Sequence, residues 1–500
     1  MKLNGKWLRT YVLVLSLVPV LGAIKVATAN PNSGPPGVLM LPDSRRNVLL
    51  IIADDVGVDS VSTYVDYYAT SNPIGTTNPP RTETLDALAG AGVMFVNAWS
   101  SPLCSPTRAG VYTGTYAFHN GVYHPFAEGV SENMSADATT IAEILSKVDY
   151  KSGLFGKWHL GSDVDPIDQG WVRFAGSLAG VIDDYFAWYK VTDTVYTSED
   201  AYARGHGEGD VGNYATLENV DDAVDWINSR SGRWMATVAF NASHFVGAPG
   251  TGEEWVQGPP EECNLYRPWV EEGAKLDKDD SLARESYKAT VECMDLSIQD
   301  LLDRIDSSRL ERTTIIFIGD NGTPEEMTQH FADHHAKGSV YEGGVNVPFI
   351  IADGYALVHE GETGSGTGRV VGLGRQETAL AQTVDLFATI AEIAGADATC
   401  GVDSVSLVPL LEGTATSVRT YAYTEYGESS DIVAIRSSTH KLVIKDYDSG
   451  SATRELYDLS SDRWEVNDLL ADGASWAELF KIFRLQNLLS TIRSVPAACP

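Results

Sequence analysis

Continuous runs of apolar residues mark the strands of a buried sheet. Residues 47–53 (NVLLIIA) and 313–318 (TTIIFI) are almost unbroken runs rich in β-branched side chains. Residues 234–240 and 347–351 have the same character. Such short runs are typical of strands that are covered on both faces in a parallel sheet. The pattern therefore predicts a sheet with helices on both sides.

The segments around these strands support that architecture. Apolar residues recur every three or four positions over 282–305, which predicts a helix. After residue 413 the pattern changes to short alternating strands, at 432–435 and 441–444, followed by a helix near 475–492. We therefore predict an α/β domain over residues 30–413 and a small C-terminal subdomain, an antiparallel sheet with a helix, over 414–500.

Polar residues follow three of the predicted strands directly. Asp54 and Asp55 end the first run, Asp320 and Asn321 follow the second, and His244 comes soon after residue 240. Ligands of α/β proteins gather at the carboxyl ends of parallel strands. The oxygen donors suit calcium or magnesium better than zinc. Turns and helix caps are the simpler alternative for such residues.

The N-terminus has the layout of a secretory signal peptide. Three cations among the first nine residues precede an apolar run over 11–24, and small residues at 27–29 provide a cleavage site. A retained membrane anchor is the alternative, but the run is short and contains Pro19 and Gly22. We expect residues 1–29 to be removed, without a stable membrane anchor, and the protein to be periplasmic or extracellular.

The chain is strongly acidic. Its 500 residues carry a formal charge of −32, and without residues 1–29 the balance is 32 basic against 68 acidic residues, or −36. Such a surface repels nucleic acid and anionic membranes, so neither is an expected partner. An anionic substrate would need a local basic pocket.

Five cysteines leave one without a partner, which requires an explanation in an exported protein. Cys263 and Cys293 flank one segment, while Cys400 and Cys499 lie near the end, so we predict these two disulfides. Cys104 then remains, at the start of a predicted helix, in the stretch CSPTR. A structural thiol would have apolar neighbours, whereas this one precedes hydroxyl groups and an arginine.

Several cations stand beside glycines or near this cysteine. Arg108 lies one helical turn after Cys104, and Lys337 belongs to AKGSVYEGG. Lys157 and His159 belong to GKWHLG, which follows a predicted strand at 150–155. Each alone reads as a surface group. Nearby glycines permit close approach of the backbone to a ligand.

Here the sequence resembles a known family. Residues 104–108, continuing to Thr113-Gly114, look like the type I sulfatase signature, in which the cysteine is oxidised to formylglycine. Residues 151–159 (KSGLFGKWH) are similar to the second signature. The likeness extends to YEGGV at 341–345, to 384–395 and to ELYDL at 455–459. Tyr112, Asp149 and Phe155 depart from the usual residues, and His244 matches its motif only loosely.

The resemblance implies an alkaline-phosphatase-like fold, with a large mixed, mostly parallel sheet, and one calcium ion, with magnesium second. The implied metal ligands are Asp54, Asp55, Asp320, Asn321 and the modified Cys104. Arg108 would hold the formylglycine, and the sulfate would be held by Lys157, His244 and Lys337. One hydroxyl of the hydrated aldehyde would attack sulfur, and His159 would deprotonate the other to expel sulfate. The implied partners are a formylglycine-generating enzyme and a sulfated carbohydrate or aryl sulfate.

Two other functions remain open at this stage. The same scaffold serves phosphoester or phosphonate hydrolases, including a two-zinc variant for which a cluster is available at His330, Asp333, His334 and His335. A non-catalytic secreted calcium-binding protein is the second alternative.

Overall fold

The computed structural model describes residues 46–69, 72–126, 133–193, 214–247, 252–332, 334–359, 370–427, 431–447 and 449–496. All of these belong to one compact unit of the chain. The signal-peptide prediction for residues 1–29 and the cysteine Cys499 lie outside the described residues, so the Cys400–Cys499 pairing stays a prediction. The boundary between the two predicted domains at residue 413 also stays a prediction.

Within these residues the strands are β1 (Asn47–Ala53), β2 (Gly92–Phe95), β3 (Ala98–Trp99), β4 (Lys151–Lys157), β5 (Arg173–Ser177), β6 (Val191–Thr192), β7 (Trp234–Ala239), β8 (Trp255–Gln257), β9 (Lys275–Asp277), β10 (Thr313–Gly319), β11 (Phe349–Asp353), β12 (Arg375–Glu377), β13 (Ala381–Gln382), β14 (Ala422–Tyr426), β15 (Ile432–Arg436), β16 (His440–Lys445) and β17 (Thr453–Asp458).

The helices are α1 (Ser62–Tyr68), α2 (Glu83–Gly90), α3 (Cys104–Thr113), α4 (Ala117–Asn120), α5 (Ile141–Ser146), α6 (Ala215–Ser229), α7 (Ala283–Arg304), α8 (Ser307–Leu310), α9 (Glu342–Val345), α10 (Gly354–Val358), α11 (Leu386–Ala394), α12 (Val408–Leu411) and α13 (Trp476–Ile492). Val58–Ser60 and Thr383–Asp385 are single turns of 3₁₀ helix.

Nine strands form the central sheet, in the order β12-β2-β11-β10-β1-β7-β4-β5-β6. The strands β10, β1, β7, β4 and β5 are mutually parallel neighbours. Their carboxyl ends therefore lie side by side along one edge of the sheet. The predicted strand near 347–351 is present as β11, but it runs antiparallel to β10, so the sheet is mixed.

Alternate residues of β1 supply two different hydrophobic cores, as expected for a strand covered on both faces. Leu49 and Ile51 join the core that includes residues of α2, α6 and α7. Leu50 and Ile52 join the core that includes residues of α3, α5 and α11. The predicted α/β architecture with helices on both faces is confirmed.

The C-terminal segment forms the predicted antiparallel sheet, in the order β14-β15-β16-β17, followed by α13. Val433 and Ile435 of β15 pack in one cluster with residues of α13. Ala434, between them, faces a second cluster that contains Trp99 and Tyr341. The subdomain therefore packs one face on its own helix and the other on the segments around Trp99 and Tyr341.

Two further sequence predictions can be compared with the structure. Cys263 and Cys293 form a disulfide that closes a segment of sequence separation 30, as predicted. The strand predicted before Gly156 continues as β4 through Lys157, so this lysine ends a buried strand rather than following one. None of the described helices combines the length and hydrophobicity needed to cross a bilayer.

Candidate active site

The predicted site residues meet at the carboxyl edge of the parallel strands. Asp54 and Asp55 follow β1, Asp320 and Asn321 follow β10, and Lys157 ends β4. All five are fully buried. Because β10, β1, β7 and β4 are neighbours in this order, the parallel pairing gathers residues that are far apart in sequence.

Asp54 is the most crowded carboxylate. Lys157 Nζ donates a hydrogen bond to Asp54 Oδ2, and Arg108 Nη2 lies 3.8 Å from the same oxygen. The other oxygen, Oδ1, is buried without a hydrogen-bond partner. Burial and repulsion from Asp320 raise the pKa of Asp54 to about 7. The two neighbouring cations therefore do not fully compensate the negative charge of this carboxylate.

Asp55 is better compensated. Lys337 Nζ lies 2.6 Å from its Oδ1, and Asn321 Nδ2 donates to the same oxygen at 2.8 Å. Burial would raise the pKa of Asp55, but Lys337 and His244 outweigh it and lower the pKa to about 2. The backbone of Asp55 has φ 62°, a left-handed conformation that aspartate tolerates better than most residues.

Helix α3 brings the cysteine and its arginine into the same place. Cys104 is the first residue of α3 and is the free cysteine of the described chain. Arg108, one turn later, donates from Nε and Nη2 to Asp320 Oδ2 at 3.1 and 2.8 Å. Burial opposes the charge of Arg108, yet Asp320 and Asp54 raise the pKa of Arg108 above its usual value. The guanidinium also donates from Nη1 to the carbonyl of Lys157 at 2.8 Å, which ties α3 to β4.

The contacts of His159 define which ring nitrogen carries the proton. Nε2 lies 3.2 Å from the carbonyl oxygen of Phe126, which can only accept, so Nε2 is the donor. Nδ1 lies 3.2 Å from Cys104 Sγ. Burial and the charges of Lys157 and Arg108 keep the pKa of His159 well below its usual value. The neutral imidazole therefore presents its lone pair to residue 104.

His244 and Lys337 are the more accessible members of the site, with side chains 10% and 19% exposed. His244 Nδ1 contacts the carbonyl oxygen of Phe245 at 2.8 Å, and Nε2 lies 3.8 Å from Asp55 Oδ2. Burial and Lys337 lower the pKa of His244 to about 3. Although burial opposes it, the pKa of Lys337 is raised by Asp55. Lys337 is therefore a charged donor, while His244 is neutral.

We name the six charged residues the active-site charge cluster; they are Asp54, Asp55, Asp320, Arg108, Lys157 and Lys337. Three carboxylates and three cations balance, so this cluster is neutral in a chain of charge −32. A divalent cation at the carboxylates would leave a net positive site. Such a site would attract an anion despite the acidic surface.

The donor set fits a divalent cation. The oxygens without partners are Asp54 Oδ1 and Asn321 Oδ1, both buried at adjacent strand ends. Ligand atoms of Asp54, Asp55 and His244 all lie within 4.8 Å of one another. Buried polar atoms without partners are costly, and a bound cation would satisfy them. The carboxylate of Asp320 accepts hydrogen bonds from Arg108 and, at 3.2 Å on Oδ1, from the backbone amide of Asp55.

Sequence reasoning missed residues that hold these groups in place. Tyr287 of α7 donates to the carbonyl of Asp55 at 2.7 Å, and Ser105 Oγ donates to the carbonyl of His159 at 2.7 Å. Ser105 lies inside the cysteine motif and could have been suspected. Tyr287 carries no sequence signal, because its contact spans 232 residues.

The alternative zinc cluster is not gathered in the described residues. His330 Nδ1 accepts from the amide of Gly75 at 2.9 Å, and the ring of His335 stacks on Tyr341 with centroids 3.7 Å apart. His334 is 89% exposed. Asp333 lies outside the described residues.

The chain is similar to known proteins. The sequence profile of the family described as Sulfatase matches residues 46–396, more than half of the chain. Arylsulfatase A of Homo sapiens is 27% identical over 489 residues, covering 86% of this chain and 84% of that protein. Arylsulfatase J of Mus musculus is 27% identical over 310 residues, covering 60% of this chain and 47% of that protein.

Solved structures share the fold. Ps i-CgsB in complex with k-i-k-neocarrahexaose aligns with a TM-score of 0.68 at 20% identity, covering 89% of this chain and 92% of that one. BT4656 in complex with its substrate D-glucosamine-2-N,6-O-disulfate aligns with a TM-score of 0.65 at 19% identity, covering 89% and 97%. With the profile match spanning the central sheet and the site at its edge, the chain belongs to the sulfatase family of enzymes.

Proposed function

We propose that this sulfatase hydrolyses a sulfated carbohydrate or an aryl sulfate, with a formylglycine made from Cys104 and one bound calcium ion. The observation that carries the proposal is the 3.2 Å contact between Cys104 Sγ and the unprotonated Nδ1 of His159. It lies at the first residue of α3. Lys157 and Arg108 are both close enough to lower the pKa of His159.

The cations bind and orient the sulfate. Arg108 and Lys157 are fully buried, and Lys337 stands at the more open side. Their charges, with the backbone N–H groups at the start of α3, favour an anion at residue 104. Because these donors are fixed before the substrate arrives, they stabilise charge that develops on the sulfate oxygens.

His159 accepts a proton from the group at residue 104. Its Nε2–H is committed to the Phe126 carbonyl, which fixes the ring and leaves Nδ1 as the acceptor. A base within hydrogen-bond distance of the proton it removes meets the geometric requirement for general-base catalysis. Ser105, through its bond to the His159 carbonyl, holds the same residue from the helix side.

Lys337 serves the oxygen of the leaving group. It carries its proton, whereas His244 is neutral with Nδ1 turned to the Phe245 carbonyl. Lys337 therefore donates a hydrogen bond to the ester oxygen as that oxygen becomes negative. His244 borders the sulfate and the carboxylates.

The calcium ion would be held by the unpartnered oxygens of Asp54 and Asn321, together with Asp55, Asp320 and residue 104. When bound, calcium polarises the sulfate oxygens and lowers the pKa of an attacking hydroxyl. Formylglycine, once hydrated, supplies two hydroxyls on one carbon, which serine or cysteine cannot. All-oxygen donors favour calcium, with magnesium second.

The Cys263–Cys293 disulfide supports an oxidising destination, so we also propose export. The carbohydrate complexes of Ps i-CgsB and BT4656 support a sulfated sugar as substrate. A formylglycine-generating enzyme would be the partner that activates the chain.

The test is a matched panel of sulfate, phosphate and phosphonate esters with the same aryl or sugar group. The proposal expects turnover of sulfate esters with kcat/KM well above that of the matched phosphorus esters. Preference for the phosphate or phosphonate ester would replace it with the alternative hydrolase. Absence of turnover in the protein with an aldehyde at residue 104 would favour the calcium-binding alternative.

A further inference from the structure

Helix α9 and its N-cap consist of the stretch Tyr341-Glu342-Gly343-Gly344-Val345. This stretch has no part in the chemistry above. Its two central glycines mark places where the backbone of α9 contacts other segments. A Cβ on Gly343 would lie 2.3 Å from the carbonyl oxygen of His335, and one on Gly344 would lie 2.2 Å from that of Ser339. Only glycine permits this packing.

Helix α9 touches three active-site segments. Gly322, next to Asn321, donates its amide to the Gly344 carbonyl at 3.0 Å, and a Cβ on Gly322 would lie 1.8 Å from the Gly343 carbonyl oxygen. Ser100, on the segment leading to Cys104, donates to the Val345 carbonyl at 2.8 Å. The contacts with His335 and Ser339 flank Lys337. This four-residue helix therefore contacts the segments that carry Asn321, Cys104 and Lys337.

Glu342 anchors this helix to the C-terminal subdomain. Its Oε1 accepts from Trp99 Nε1 at 2.9 Å, and its Oε2 lies 3.3 Å from Arg436 Nη1 of β15. Lys441 of β16 lies 3.6 Å from Oε1. Glu465 accepts the backbone amide of Glu342 at 2.5 Å and lies 2.6 Å from Lys441 Nζ.

We name these four residues the inter-sheet charge cluster; they are Glu342, Arg436, Lys441 and Glu465. Each side chain is at most 2% exposed, and their formal charges cancel. Burial would raise the pKa of Glu342, but Arg436 and Lys441 lower it below its usual value. Glu342 is therefore an anion held by the C-terminal subdomain.

We propose that Glu342 is a positioning residue for the sulfatase reaction, through which Arg436 and Lys441 of the C-terminal subdomain fix α9 and so set the placement of Lys337. The cluster itself does not contact the substrate. The inference rests on the proposed function only where turnover is measured.

The first experiment measures hydrogen exchange at single amides in Glu342→Gln and in the matched control Val443→Ala. Val443 is buried in β16 and packs in the same hydrophobic cluster as Trp99 and Tyr341. The amides of Lys337 and Gly338 donate to the carbonyls of Thr323 and Pro102, each at 3.0 Å. Exchange at both amides should rise roughly 10-fold or more in Glu342→Gln and stay near wild type in Val443→Ala. Unchanged exchange in Glu342→Gln overturns the inference, whether or not the enzyme acts on sulfate esters.

The second experiment is kinetic. Positioning errors of about 1 Å cost up to 10²-fold in rate, so Glu342→Gln should lower kcat/KM roughly 10- to 100-fold for a sugar sulfate. The loss should be smaller for an aryl sulfate, whose phenolic leaving group depends less on Lys337. When Lys337 is already replaced by alanine, adding Glu342→Gln should lower kcat/KM for the sugar sulfate by less than about a further 3-fold. Equal losses for both substrates, or a full additional loss in that background, would show a global defect and contradict the inference.

A substitution that fails to fold would not end the test. Arg436→Lys keeps the charge but loses the planar guanidinium that reaches both Glu342 oxygens, at 3.4 and 3.3 Å. Arg436→Lys should also raise amide exchange at Lys337 and Gly338 and lower kcat/KM for the sugar sulfate, both by less than Glu342→Gln does. Wild-type exchange and wild-type kinetics in a folded Arg436→Lys protein would reject the role of the C-terminal subdomain.

Discussion

The active-site and inter-sheet charge clusters are both buried and neutral, yet they are built differently. Every charged group of both clusters has an opposite charge within 3.6 Å, but no side chain of the inter-sheet cluster exceeds 2% exposure. In the active-site cluster Lys337 is 19% exposed, and the neighbouring His244 is 10% exposed. The first arrangement fixes two parts of the chain together. The second leaves charge and hydrogen-bonding capacity available for a ligand.

This difference predicts different responses to the loss of a charge. In the active-site cluster, activity should fall far more than stability, because sites built for ligands are not optimised for folding. In the inter-sheet cluster, stability should fall as well, because removing one partner leaves a buried charge uncompensated.

The largest effect is expected at Cys104. Cys104→Ala should lower kcat by at least roughly 10⁴-fold, the scale expected when a nucleophile is lost. Thermal unfolding should be unchanged, because a small buried side chain is lost without breaking an ion pair. Cys104→Ser should also be nearly inactive, since it lacks the second hydroxyl. Wild-type turnover by the serine variant would indicate simple serine-type hydrolysis.

Asp54→Asn should lower turnover on the order of 10²- to 10³-fold and reduce calcium content. The melting temperature of the metal-free protein should fall less than in Glu342→Gln, because burial and Asp320 already disfavour the negative charge of Asp54. Asp295→Asn is the matched control: this carboxylate is buried, accepts the amides of Thr84 and Leu85, and lies outside the site. It should lose stability and keep activity. The reverse pattern would refute the distinction between the clusters.

Chelation should remove activity, and calcium should restore it better than magnesium or zinc, because the predicted ligands are hard oxygen donors. Elemental analysis of the purified protein provides the complementary measurement. Stoichiometric zinc, with activity recovered by zinc alone, would overturn the calcium assignment.

Lys337→Ala should lower kcat/KM by about 10²-fold for a sugar sulfate, the scale of one lost donor to a developing charge. The effect should shrink for aryl sulfates, whose leaving groups are more stable anions. Lys275→Ala is a control at an exposed lysine paired with Asp184, and it should be close to wild type. A loss that is independent of the leaving group would restrict Lys337 to sulfate binding.

The smallest effect on activity is expected at the disulfide. Replacing both Cys263 and Cys293 by alanine should lower the free energy of unfolding by about 3.6 kcal/mol, because the closed segment spans 30 residues. The kcat measured well below the melting temperature should remain at the wild-type value. A large loss of kcat in the folded variant would mean that this segment shapes the substrate site.

Local patterns predicted much of the fold and site. The apolar runs of β1 and β10, with polar residues directly after them, predicted both the sheet and the edge where ligands bind. Cys104 and Arg108 were predictable because one helical turn joins them. The antiparallel direction of β11 could not be read from its composition, since a strand buried on both faces looks the same in either direction.

Contacts between distant segments were not predictable. Glu342 and Arg436 are 94 residues apart, and neither has a neighbouring sequence pattern that distinguishes a buried ion pair from two surface charges. The protonation of His159 likewise depends on the Phe126 carbonyl, 33 residues away, which carries no side-chain signal. Such features arise only once the sheet has set the spatial neighbours.

The most direct test of the central claim is the mass of the tryptic peptide 82–108, measured beside turnover of a sulfate ester. Protein made with and without a formylglycine-generating enzyme should differ in the fraction of this peptide that carries an aldehyde at residue 104. The account predicts that sulfate ester turnover rises in proportion to that fraction and vanishes without it. Full activity in protein whose residue 104 is an unmodified thiol would contradict the account.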